Sequence, residues 1–251
     1  MSAVTSSVPQ KFRNPDIRPY TPEKPVAKAM TIAIGFLFND GAEAYIAADR
    51  QFTAPGFFKY QAKKYVNEEA SSLLLTFAFA GYPGVFSEVQ QKVCVALEKE
   101  RILSVESVRL VVEKVIKSLS LRGSESLFML VGVNEIFDPP SLIVFDGKSV
   151  FLGENNKVYL VGCGDSSLTR YLIDHLYGPD MSKEQGLAVA AYLIKKATQY
   201  VDYCGEPIDV LYGYELGFHE VEREKIQAAI QKVEEQEQYL STLLIQTPFS
   251  S

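Results

Sequence analysis

Residues 30–53 read Met30-Thr-Ile-Ala-Ile-Gly-Phe-Leu-Phe-Asn-Asp-Gly-Ala-Glu-Ala-Tyr-Ile-Ala-Ala-Asp-Arg-Gln-Phe-Thr53. Thr31–Phe38 is a β-rich apolar run, Asn39-Asp40-Gly41 is a turn signal, and Ala42–Asp49 is a second strand. Together they predict an antiparallel hairpin. Lys63–Asn67 and Ser71–Ala80 predict another strand pair, joined around Glu68–Ala70.

The period then changes. Val85, Val89, Val93, Ala96 and Leu97 recur at helical spacing, as do Val105, Val108, Val112, Val115, Ile116 and Leu119. Ser104 with Glu106 and Ser107 supplies N-terminal chemistry for the second of these helices. Strands resume at Leu127–Val133, Ser141–Phe145, Ser149–Leu152 and Lys157–Val161. Helices follow at about 166–176 and 183–200, the latter capped by Ser182, then a strand at Ile208–Tyr214 and a charged helix over Glu220–Ile245. Strands do not alternate with helices, which argues against a parallel sheet. The order predicts an α+β domain of four layers, α-β-β-α: two antiparallel sheets packed face to face, each flanked by a helix pair.

Upstream of this domain, residues 1–29 carry Pro9, Pro15, Pro19, Pro22 and Pro25 and few large apolar groups. Such a segment buries too little surface to offset its ordering entropy, and it reads as an extended arm or a removable propeptide. The domain proper is expected over 30–251, its C-terminal helix starting near residue 220.

The chain has 251 residues, with 31 Asp and Glu against 25 Lys and Arg, a formal net charge of −6. An acidic chain without a basic run offers little to a phosphate backbone, so nucleic acid is not an expected partner. No apolar run approaches the roughly 20 residues of a membrane helix, and the N-terminus lacks the apolar core of a secretory signal. The three cysteines, Cys94, Cys163 and Cys204, have no paired spacing, and a reducing, cytoplasmic compartment is expected. With two histidines and no paired cysteines, no metal site is expected.

A series of short stretches carries a resemblance. Thr31-Ile-Ala-Ile-Gly35, Ala47-Ala-Asp-Arg-Gln-Phe-Thr53, Lys63-Lys-Tyr65 and Phe79-Ala-Gly81 are followed by the pair Val161-Gly-Cys-Gly164 and Cys204-Gly-Glu-Pro-Ile-Asp-Val210. In this order they resemble proteasome β-subunits and the wider N-terminal-nucleophile (Ntn) hydrolases, among them the peptidase subunit of the bacterial ATP-dependent chambered protease. The resemblance spans residues 31 to about 216. It implies the Ntn-hydrolase fold, threonine-peptidase activity without metal or organic cofactor, and peptide or unfolded-protein substrates. A ring-shaped homo-oligomer served by an ATP-dependent unfoldase is implied as well.

Carried over residue by residue, the resemblance makes Thr31 the nucleophile, Asp49 the acidic residue ending the second strand, Lys64 the site lysine and Gly81 the oxyanion-hole glycine. A threonine hydroxyl needs a base, and the free α-amine of the same residue can serve. A nearby ammonium would keep that amine neutral at physiological pH. The lysine in turn requires a carboxylate, and a backbone N–H would hold the oxyanion. Cys163 and Cys204 stand where the family carries serines. Val201 stands where it carries aspartate, with Asp202 one position on. Residue 30 is Met, not the glycine after which active subunits usually cleave themselves. Three functions stay open: a threonine peptidase, a catalytically inactive scaffold or assembly subunit, and a small-molecule amidase.

Overall fold

A computed structural model of the chain describes residues 31–54, 58–70, 72–100, 104–122, 127–135, 137–162, 167–201 and 204–246. The expected arm, residues 1–29, lies outside the described residues, as do Cys163 and Asp202.

The turn at Asn39-Asp40-Gly41 has φ of +53°, +53° and +85°, values that Asn, Asp and Gly adopt at least cost. It folds β1 (Ile32–Phe38) back onto β2 (Glu43–Asp49) as the sequence predicts. Next come a two-stranded ribbon, β3 (Gln51–Ala54) with β4 (Phe58–Gln61), and the hairpin of β5 (Tyr65–Ala70) with β6 (Leu73–Gly81). Helices α1 (Pro83–Leu97) and α2 (Val105–Ser118) follow. Strands β7 (Leu127–Glu135), β8 (Ser141–Phe145), β9 (Val150–Leu152) and β10 (Val158–Gly162) precede α3 (Ser167–Leu176) and α4 (Lys183–Tyr200). The described chain ends with β11 (Ile208–Tyr214), β12 (Gly217–Glu220) and α5 (Arg223–Gln246).

The strands form two five-stranded sheets, ordered β10-β1-β2-β11-β12 and β5-β6-β7-β8-β9, and every pairing is antiparallel. The fold is thus α+β. All seven residues of β1 are buried, which is why that strand reads as an unbroken apolar run and not as an alternation. Its residues divide by parity. Ile32, Ile34, Phe36 and Phe38 join a cluster with Ala190, Leu193 and Ile194 of α4 and Ile226 and Ile230 of α5. Ala33 and Leu37 join a second cluster with Ala78, Leu130, Leu142 and Val144 of the other sheet. A third cluster packs Leu75, Phe77 and Phe79 against Val89 and Val93 of α1 and Val112 and Ile116 of α2. At about 1.5–3 kcal/mol per buried large apolar side chain, these clusters are the main favourable term in folding.

Serines cap two of the helices as expected. Ser104 accepts from the Ser107 N–H and Ser182 from the Gln185 N–H, and each N3 side chain bonds back to its cap residue.

Several boundaries differ from the sequence expectation. Six strands, not four, precede α1, because the ribbon β3–β4 is short and lacks alternation. The strand expected from Lys63 begins at Tyr65, although the Lys64 carbonyl still accepts from the Phe79 N–H of β6 at 3.0 Å. Glu68–Ala70, expected as a turn, are strand residues paired with Leu73–Leu75. The expected C-terminal helix starts at Arg223, because Gly217–Glu220 first pair with β11 as β12.

Candidate active site

Thr31 stands one residue before β1, Asp49 ends β2, and Lys64 leads into β5 in the other sheet. The cluster therefore bridges the two sheets. Thr31 is 1 % exposed, and Asp49 and Lys64 are fully buried. The Thr31 hydroxyl donates to Asp49 Oδ1 at 2.7 Å and accepts from Lys64 Nζ. Lys64 Nζ also forms a 2.6 Å ion pair with Asp49 Oδ1 and donates to the Gln51 carbonyl. The three hydrogens of the ammonium are thereby matched to three oxygen acceptors. Its charge further sits 4.7 Å from the centroid of the Phe52 ring.

Asp49 is held by backbone as well as by cation. Its Oδ1 accepts from the Ile32 N–H at 3.1 Å, and its Oδ2 accepts from the Gln51 N–H at 3.2 Å and the Gly205 N–H at 3.1 Å. Charge-assisted bonds of this kind are about twice as strong as neutral ones, and together they offset the cost of a buried carboxylate.

Gly162 closes the cluster from β10. It pairs with Ile32, has φ +97°, and a Cβ there would overlap the Thr31 carbonyl oxygen and lie 2.7 Å from the Ala80 Cβ. Ala80 of β6 is thus brought beside Thr31, and the next residue, Gly81, ends the strand with φ +144°. Cys204 is buried among the apolar residues under α4, with its N–H bonded to the Val201 carbonyl at 3.0 Å. Its neighbour Gly205 is the one that reaches Asp49. Sequence reading missed the Gln51 carbonyl, the Gly205 N–H and the Phe52 ring as parts of the cluster. Backbone donors and acceptors have no residue-type signature, and Phe52 alone could have been found, inside the quoted motif.

Both histidines lie elsewhere, bonded to the Tyr171 and Leu216 carbonyls. Among the described residues no group of three His, Cys, Asp or Glu side chains is arranged to hold a metal ion. A cavity of about 850 Å³ lies between α4, α5 and β12, lined by Tyr45, Tyr212, Leu187 and Val233 among others. It contains none of the Thr31 cluster. Reactive groups, not volume, decide the candidate site, and these are at Thr31.

No family model matches the chain, and no curated protein matches it. Solved structures do match. The Gly-1 mutant of Anbu from Hyphomicrobium sp. strain MC1 has a TM-score of 0.70 at 14 % identity, over 86 % of this chain and 100 % of that one. The fold is shared with Anbu. Anbu from Yersinia bercovieri, described as an ancestral β-subunit, gives 0.70 at 13 % identity, over 88 % of this chain and 99 % of that one. The helical assembly of the Anbu complex from Pseudomonas aeruginosa gives 0.64 at 17 % identity, over 88 % and 99 %. These identities show a proteasome-related fold and nothing finer. They correct the assignment to proteasome β-subunits that the motifs suggest: no family model supports it, and these three neighbours are Anbu. The physical reason lies in what the motifs encode. Gly81 and Gly162 take positive φ, and Asp49 anchors strand ends, so these residues report the demands of a fold more than membership of one family. No helix of the described residues is long and apolar enough to cross a membrane.

Proposed function

We propose that this chain is a threonine-type amide hydrolase, a peptidase in which Thr31 is the N-terminal nucleophile once residues 1–30 are removed. The observation that carries the reading is the convergence of Thr31 Oγ1, Lys64 Nζ and Asp49 Oδ1 in one buried cluster. With Thr31 at the chain start, its α-amine takes the hydroxyl proton as Oγ1 attacks the scissile carbonyl. The resulting oxyanion is held by the Gly81 N–H. The tetrahedral intermediate collapses, the leaving amine takes the proton from the Thr31 ammonium, and an ester to Thr31 remains. Water, deprotonated by the same amine, hydrolyses that ester and returns the free hydroxyl. Lys64 stays charged and keeps the amine neutral, and Asp49 holds Lys64 in place. Cys163, Asp202 and Cys204 belong to this proposal as supports of the amine's surroundings, not as nucleophiles.

Residues 1–29 are read as the removable arm of a single domain over 30–251, built as the four-layer sandwich of Ntn hydrolases. The helical assembly known for Anbu of Pseudomonas aeruginosa supports association of this chain with copies of itself. Peptides or unfolded proteins are the proposed substrates, an ATP-dependent unfoldase the proposed partner, and the cytoplasm the proposed location. The deciding experiment compares peptide hydrolysis by the chain beginning at Thr31 with that of the full-length chain. Intact mass of the native protein shows which form occurs.

A second reading, an inactive scaffold subunit, is favoured by one observation. While Met30 is attached the Thr31 nitrogen is an amide, which has no lone pair basic enough to accept the proton. A native protein beginning at Met1 would support that reading.

A further inference from the structure

Two dipeptides build the cluster, and each divides its residues between two ion networks. Asp49 and Lys64 turn inward to Thr31. Their neighbours Arg50 and Lys63 turn the other way. Arg50 Nε donates to both oxygens of Asp209 at 2.8 Å, and its Nη2 bonds Asp209 and, at 3.5 Å, Glu220. Lys63 Nζ meets Glu220 Oε2 at 2.8 Å and the Tyr65 hydroxyl at 2.7 Å. Backbone bonds reinforce the same junction: the Arg50 N–H donates to the Pro207 carbonyl at 2.9 Å, and the Ala62 N–H to the Arg50 carbonyl at 3.0 Å.

This outer network ties the end of β2, the segment before β5, β11 and β12 into one block. A guanidinium gripping a carboxylate with two parallel bonds fixes orientation as well as distance. Asp209 is buried and Arg50 is only 28 % exposed, so solvent screens the pair little. Lys64 has a long, flexible stem, and its ammonium reaches Thr31 only if its Cα is held; the Phe79 N–H bond to its carbonyl holds it from β6, and the Lys63–Glu220 pair lies one residue away on the other side.

We propose that Arg50 and Asp209, together with Lys63 and Glu220, are positioning residues that hold Asp49 and Lys64 against Thr31. The proposal rests on the reading of Thr31 as an amide-hydrolysing nucleophile, and its test separates the two. In the chain beginning at Thr31, Arg50→Gln is expected to lower kcat by roughly tenfold to a hundredfold with KM within about twofold, because the side chains of the pair bond each other and Glu220 and not the Thr31 hydroxyl. The acid limb of kcat/KM is expected to move to higher pH. Lys64 and Asp49 are charged groups that face Thr31, and a retreating lysine depresses the amine less. Arg50→Lys, which keeps the charge and loses the fork, is expected to fall between parent and Arg50→Gln. Folded Arg50→Gln and Glu220→Gln proteins with the parent's kcat and pH profile would overturn the proposal. Glu220, half exposed, serves where an Arg50 variant fails to fold. If the parent chain itself is inert, the NMR titration of the Lys64 Cε signal replaces kinetics. A midpoint altered by Arg50→Gln supports positioning, and an unaltered one overturns it.

Discussion

Lys64 and Asp49 form a 2.6 Å ion pair in which neither side chain has any exposed surface. Removing one member leaves the other charge buried alone, at a cost of about 3–5 kcal/mol. Lys64→Met is therefore expected to lower stability by that order, read from urea unfolding, and Asp49→Asn on the same background to recover part of it. A Lys64→Met protein as stable as the parent would show that the pair is not needed to hold the two sheets together.

Thr31 supplies both the nucleophile and the base of the proposed chemistry. In the chain that begins there, Thr31→Ala is expected to abolish peptide hydrolysis, and Thr31→Ser to retain part of it, because hydroxyl and amine remain. Lys64→Ala is expected to reduce the rate by on the order of 10²-fold or more. Hydrolysis that survives Thr31→Ala would place the nucleophile elsewhere.

Gly162 has no room for a side chain and a backbone angle that disfavours one. Gly162→Ala is expected to cost about 1–3 kcal/mol and to displace Thr31, so thermal unfolding and peptide hydrolysis should suffer together. Gly84, in the first turn of α1, meets nothing within 4 Å. Gly84→Ala is the control and is expected to be neutral or stabilising by a few tenths of a kcal/mol.

Glu113 on α2 is ringed by Lys117, Arg109 and Arg122. Hydrogen bonds from Lys117 first and Arg109 next hold its carboxyl down at about 2, below the usual 4.5. A depressed carboxyl stabilises the folded state above its unfolded pKa, and that contribution disappears as pH falls from about 4.5 through 2. Between those values the parent is expected to lose stability more steeply than Glu113→Gln. The difference should shrink in high salt, because the ring is solvent-facing.

The framework of the fold was legible because apolar runs, turn residues and serine caps are local signals. Asn39-Asp40-Gly41 announced its hairpin, and Ser104 and Ser182 announced their helices. The ribbon β3–β4 was not legible, since four-residue strands without alternation resemble loop. Thr31, Asp49 and Lys64, whose side chains meet in the structure, could be named from short motifs because their side-chain types are part of the motif. The Gly205 N–H and the Gln51 carbonyl could not, since any residue offers the same backbone atoms. Nor could Arg50 with Asp209, a pair that exists only because β2 and β11 are neighbours, 159 residues apart in the chain.

The opposite aim of Asp49 and Arg50 makes the end of β2 sensitive to parity. Losing one residue between Ala44 and Asp49 would turn a guanidinium toward the Lys64 ammonium and move the carboxylate into the buried place of Ala48, opposite Asp209. Losing two would restore the alternation while shortening the strand. Evolutionary gaps in relatives of this chain should therefore spare β2.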